Sequence, residues 1–325
     1  MDIHPRKVVV KMKKYMAIVL GFLLVIMLAA CNEGEKTVEN KKDENPPTAE
    51  KGTEEKEQEE AKGTNAKIEG EQSKEDTSNK DELNLLEVFN KTIEEANGDI
   101  DSFENNMKLK QITEDGEKKV TMDTDTAMKV ILEPFNLQQN MEISMEMGEE
   151  KEGYTVEAFL TDDGFYMYQS NQDMWVKLPA ENTEQLFQTQ NGQQNPAQQL
   201  KQFEDFIEDF SIDQNDKNYI LTLNTSKEIE KYLKEIAKAQ MSQTTEVGAD
   251  YFDKMKFNKV DYEIHIDKET YRLTNLKMIM DYNTEMDGDS VRVVQDVQSE
   301  YMNYNEVKEI KVPAEAIEQA EEIEM

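Results

Sequence analysis

Between residues 83 and 325 the apolar positions repeat with two periods, and the switch between them divides the chain into elements. Leu83, Leu86, Phe89, Asn90 and Ile93 follow each other at three- and four-residue steps, which predicts a helix that Gly98 can stop. The period then shortens to two. Val120, Met122, Thr124, Thr126, Met128, Val130 and Leu132 alternate with charged and small polar residues. Met141, Ile143, Met145 and Met147 do the same, as do Tyr154, Val156, Ala158 and Leu160. Such alternation predicts strands with one face in a core and one in water, the mark of an antiparallel sheet.

Turn chemistry joins these strands. Asp115-Gly116, Asp163-Gly164 and Asp287-Gly288 each lie between alternating runs and predict hairpins. The stretch GFYMYQSNQDMWVKLP, residues 164–179, adds a tight return with Trp175 on its second arm. Two helical stretches interrupt the strands. The first ends in NPAQQLKQFEDFIEDF, where Asn195 suits a cap and Pro196 the first helical position. On a helix, Leu200, Phe203, Phe206, Ile207 and Phe210 would share one apolar face. The second begins at Thr225, which with Glu228 matches a capping box ahead of Ile229, Tyr232, Leu233 and Ile236. Strands resume with Val260, Tyr262, Ile264 and Ile266, then Leu276, Met278 and Met280, then Val291, Val293, Gln295 and Val297. YNEVKEIKVPAEAIEQA closes the chain as a short strand halted by Pro313.

The N-terminal pattern is different. Arg6, Lys7, Lys11, Lys13 and Lys14 precede the apolar run MAIVLGFLLVIMLAA at residues 16–30. That run falls short of the roughly 20 residues a permanent transmembrane helix needs, and it fits the core of a secretory leader. Translation from Met1 or from Met12 leaves the same run intact. The leader ends at Leu28-Ala29-Ala30-Cys31, and Cys31 is the only cysteine. These four residues resemble the lipobox of bacterial lipoproteins. The resemblance implies a diacylglyceryl group on the Cys31 sulfur and cleavage before Cys31, with the protein held on the extracytoplasmic face of the cell membrane. Two acyl chains suffice for stable anchoring at about 0.8 kcal/mol per buried CH₂.

From Asn32 to about residue 81 the chain carries no aromatic side chain, and Val38, Ile68 and a few alanines are its only apolar residues. A stretch of this composition cannot offset its ordering entropy and is expected to be a disordered spacer. As a coil its end-to-end reach is roughly 40 Å. The expected organisation is therefore a lipoprotein signal peptide at 1–30, an acidic linker at 31–81 and one domain at 82–325.

Charge and residue types narrow the chemistry. With 70 acidic against 37 basic side chains the net charge is −33. This repels phosphate backbones, so nucleic acid is not an expected partner. One cysteine and two histidines, His4 and His265, provide no zinc cluster. DQNDKN at 213–218 lacks the central glycine and the final glutamate of a calcium loop. No glycine-rich phosphate cradle and no nucleophile elbow is present. No cofactor and no enzymatic activity are expected.

The order of one starting helix, a long meander and a helical insertion in its second half resembles the LolA/LppX-like lipoprotein fold, especially uncharacterised surface lipoproteins of Gram-positive bacteria. The residues that carry the resemblance are GFYMYQSNQDMWVKLP and the terminal NEVKEIKVPAEA. It implies an α+β fold in which a large curved antiparallel sheet, a half-barrel, wraps around helices, and it implies a lipid or acyl chain held between sheet and helices. Methionine suits the wall of such a cavity because it adapts to varied apolar shapes. The candidate ligand-binding residues are Met141, Met145, Met147, Trp175, Phe203, Phe206 and Phe210, each with ordinary core packing as the alternative role. The expected function is a membrane-anchored lipoprotein that binds a hydrophobic ligand in a sheet–helix cleft. The alternative is an interaction module, without a cavity, that docks on another envelope protein.

Overall fold

The computed structural model describes residues 84–323, apart from 117, 191–195, 242–249 and 287. The expected leader, Cys31 and the acidic linker lie outside the described residues.

The starting helix, α1, spans Leu85–Gly98. Asn84 caps it by accepting a hydrogen bond from the Glu87 backbone N–H at 3.2 Å. Its buried face is formed by Val88, Phe89 and Thr92, whereas Leu86 is 55% exposed. Leu86 matches the helical period but falls on the wrong side of the stripe.

Six strands follow: β1 (Ser102–Asp115), β2 (Lys118–Ile131), β3 (Asn136–Met147), β4 (Glu150–Thr161), β5 (Gly164–Gln169) and β6 (Met174–Lys177). Each pairs antiparallel with the next. All three Asp-Gly sites form hairpins, but the pair sits differently in each. Asp115 pairs with Lys118, so Gly116 opens the two-residue loop. Thr161 pairs with Gly164, so the loop is Asp162-Asp163 and Gly164 follows it with φ of 127°. Met286 pairs with Asp289, and Gly288 between them has a φ of 89°.

The chain then runs through α2 (Ala180–Gln190) and α3 (Pro196–Lys201). The single apolar helix expected up to Phe210 is broken. After Lys201 the chain tightens into a 3₁₀ helix, Glu204–Asp209, with Phe206 off helical geometry, and Phe210 already begins a strand. Four carboxylates in six residues (Glu204, Asp205, Glu208 and Asp209) repel along a helix surface, and the break moves Phe203 and Phe210 into one core.

The second half contains β7 (Phe210–Gln214), β8 (Asn218–Leu223), α4 (Lys227–Met241), α5 (Asp250–Asp253), β9 (Lys256–Asp267), β10 (Leu273–Met286) and β11 (Asp289–Met302). Ser226, not Thr225, caps α4: its Oγ accepts from the Ile229 N–H at 3.2 Å. The Thr225 hydroxyl instead donates to the Val260 carbonyl on β9. DQNDKN is the β7–β8 turn, in which the Asn215 side chain accepts from the backbone of Lys217 and Asn218.

With a last short strand, β12 (Glu321–Glu322), all strands join one sheet in the order β12-β6-β5-β4-β3-β2-β1-β11-β10-β9-β8-β7. β1 pairs with β11, so the two meanders meet at its centre. The terminal segment is not the expected strand. Residues 303–313 run without regular structure into α6 (Ala314–Gln319), and β12 (Glu321–Glu322) then pairs parallel with β6. The sheet is therefore a large open mixed sheet of twelve strands with a few helices, not a purely antiparallel one.

The main apolar cluster joins the two arms of the sheet. Val130 of β2 and Leu160 of β4 share it with Leu221, Leu223 and Ile266 of β8 and β9 and with Phe89, Leu200, Phe203 and Ile229 from the helical segments. A second cluster occupies the other face. There Phe159, Tyr166 and Trp175 pack against Ile310, Val312 and Ala316 of the terminal segment.

Candidate functional site

Strand register builds the site. Val156 pairs with Met141, Met141 with Thr126, Thr126 with Met107, Met107 with Ser299, and Ser299 with Leu276. These six residues form one row across β4, β3, β2, β1, β11 and β10. The row lies along a cleft of about 700 Å³. Each strand contributes three consecutive residues to the lining, 106–108, 125–127, 140–142, 155–157, 275–277 and 298–300, and Tyr168 of β5 adds one end. The volume is within the ordinary range for small-molecule sites, about 300–1,000 Å³.

The central row is mainly apolar. Met107 and Val156 belong to a buried cluster with Leu109, Met122, Ile143 and Val297, and Met141 packs against it. Two of its members are polar. Ser299 accepts a hydrogen bond from Asn105 Nδ2 at 2.8 Å. The Thr126 hydroxyl is buried with no hydrogen-bond partner, and so is that of Thr124 two residues earlier on the same face. A buried hydroxyl without a partner costs about 1–3 kcal/mol relative to one that is satisfied.

The flanking rows carry charge of both signs. Lys108 faces Asp125 at 4.0 Å. Lys277 pairs with Glu263 at 3.0 Å, and His265 shares that carboxylate at 2.6 Å. The hydrogen bond from His265, then that from Lys277, holds the Glu263 carboxyl below the usual range. Glu157 goes the other way, because burial pushes its carboxyl up. Among the described residues no group of three or more His, Cys, Asp or Glu side chains is placed to hold a metal ion.

The residues expected from sequence are dispersed. Met141 lines the cleft. Met145 is buried and Met147 half-buried on the same face of β3, but neither reaches it. Trp175 is buried against Phe159 and Tyr168, at 6.2 and 5.4 Å between ring centroids, and does not itself line the cleft. Phe203 and Phe210 are core residues with rings 5.8 Å apart, and Phe206 stacks on Tyr232 at 4.8 Å. None of the three lines the cleft, which is made of strand residues throughout. The row members missed in sequence, Met107, Thr126, Ser299 and Leu276, are individually unremarkable. Only the pairing of β1 with β11 brings them together.

No helix among the described residues is long and apolar enough to cross a membrane.

The sequence profile of a family described as "Family of unknown function (DUF6612)" matches residues 84–321. No curated protein matches the chain. Similar solved structures include a DUF1329 family protein from Desulfovibrio piger, 11% identical, covering 68% of this chain and 93% of that one at a TM-score of 0.22. A domain assigned to outer membrane lipoprotein sorting, from Vibrio parahaemolyticus, is 11% identical and covers 70% and 95% at 0.23. A β-barrel-like protein of the DUF1849 family from Brucella abortus is 8% identical and covers 62% and 98% at 0.20.

Proposed function

The chain belongs to the DUF6612 family, of unknown function, and from that premise we propose that it is an extracytoplasmic lipoprotein that binds a hydrophobic ligand. One observation carries the reading: a cleft of about 700 Å³ that runs along a central row made mainly of methionine and aliphatic residues. An acyl chain would lie along Met107, Met141, Val156 and Leu276. The ligand lies against strands rather than in the sheet–helix gap. The sheet half-encloses the helices, a reading supported by the core that β2 and β4 share with β8, β9 and three helices. The leader and the Leu28–Cys31 box place the domain beside the bilayer that supplies the ligand, tethered through a lipidated Cys31 and an acidic spacer.

A titration with an environment-sensitive fluorescent fatty acid tests the binding. Wild type should saturate at micromolar probe. Met141→Trp, which fills the cleft from a half-buried position, should bind at least about tenfold more weakly, or roughly 1.4 kcal/mol, with its melting temperature nearly unchanged. Equal binding by both proteins, or none by either, would count against the cleft as a ligand site.

A further inference from the structure

At the α1 end of the sheet, basic and aromatic side chains gather around the β9–β10 turn. Asp267 builds that turn. Its Oδ1 accepts from the backbone of Glu269 and Thr270 and from the Thr270 hydroxyl. Tyr271 then takes a left-handed backbone, φ 52°, a conformation that costs a non-glycine residue about 1 kcal/mol or more and persists only where surroundings impose it. Lys91 from α1 lies over the Tyr271 ring at 4.9 Å and donates to its hydroxyl at 3.4 Å. Tyr271 is 5.9 Å from Tyr219, over which Lys268 sits at 5.6 Å.

Arg272 is the exception within this cluster. The chain has three arginines, Arg6, Arg272 and Arg292, among 70 carboxylates. Arg292 is paired to Asp281 at 2.7 Å and Glu114 at 3.2 Å. Among the described residues Arg272 forms no ion pair. Its Nε is buried with no hydrogen-bond partner, and its guanidinium sits 5.4 Å over the Tyr304 ring. Tyr304 is itself fixed, its hydroxyl donating to the Leu273 carbonyl at 2.7 Å. The aromatic face stabilises the cation but accepts none of its planar N–H groups. In the same turn region Glu87 is paired with Lys91 at 2.8 Å, and Asp267 is held by the turn. A guanidinium held over a ring with no carboxylate on it keeps the planar fork that fits phosphate and carboxylate.

We propose that Arg272, held over Tyr304 at the β9–β10 turn, is the receptor for a phosphate or carboxylate group, carried on a lipid headgroup or free in solution. The site is separate from the strand cleft, and it stands whether or not the cleft takes an alkyl chain.

Calorimetric titration of the full chain separates the cases, with inorganic phosphate, dodecyl phosphate and the uncharged dodecyl maltoside as probes. Wild type should bind at least one of the two phosphates. Arg272→Gln should weaken that binding at least tenfold and leave dodecyl maltoside unchanged. Arg272→Lys, which keeps the charge and guards against a folding defect, should fall between the two. Binding of inorganic phosphate as tight as that of dodecyl phosphate identifies a free anion as the ligand, and a preference for dodecyl phosphate identifies a headgroup. The proposal is overturned if wild type binds neither phosphate, or if Arg272→Gln binds them as wild type does. Failure of both dodecyl compounds with phosphate binding intact would overturn the hydrophobic-ligand reading and leave this one standing.

Discussion

Thr126 is a residue whose polar group works against stability. Its hydroxyl is buried without a partner on the inward face of β2. Replacing it with valine keeps the shape and removes the orphan group. Thr126→Val should therefore stabilise the protein by about 1 kcal/mol, read as a higher denaturant midpoint with unchanged slope. A loss of stability would mean that the hydroxyl is satisfied. At this scale the sequence was a partial guide. Met141 could be chosen because β3 alternates cleanly. Trp175 could not be placed, because alternation says that a side chain points to a face and not what covers that face. Its cover, Ile310, Val312 and Ala316, comes from more than 130 positions downstream.

Elements were more legible than sites, and the failures have local causes. β2, β3, β4 and β9 to β11 announce themselves by period because their inward positions are apolar. β1 does not, because Asn105, Gln111 and Thr113 point inward and are buried. They are tolerated through partners on neighbouring strands, such as Gln295 Nε2 donating to Gln111 Oε1 at 2.8 Å. The Met147–Glu150 hairpin turns at Gly148-Glu149, a pair less conspicuous than Asp-Gly. The α4 cap shows how close competition is settled: Thr225 and Ser226 both suit the position, and the bond from Thr225 to Val260 leaves the cap to Ser226. Ser226→Ala should cost about 1 kcal/mol in the unfolding free energy measured by urea titration. A neutral result would show that the cap is not formed.

At the scale of the whole molecule, the proposed function needs two things, a cleft and a tether. The pairing of β1 with β11, separated by nearly the whole domain, is what creates the cleft, and no local pattern encodes it. The tether is a separate proposition that rests on Leu28-Ala29-Ala30-Cys31. Cys31→Ser should move the protein from the membrane fraction to the soluble fraction and remove the acyl mass from the N-terminal peptide. Retention on the membrane by the serine variant would replace the lipid anchor with an uncleaved helix.

The most direct measurement of the central claim is organic extraction of the protein purified from its own membranes, followed by mass spectrometry, with wild type and Met141→Trp side by side. Wild type should release about one non-covalent amphiphile per chain, and the cleft-filling variant should release little. A wild-type protein that carries nothing, or a variant that carries the same load, would contradict the account.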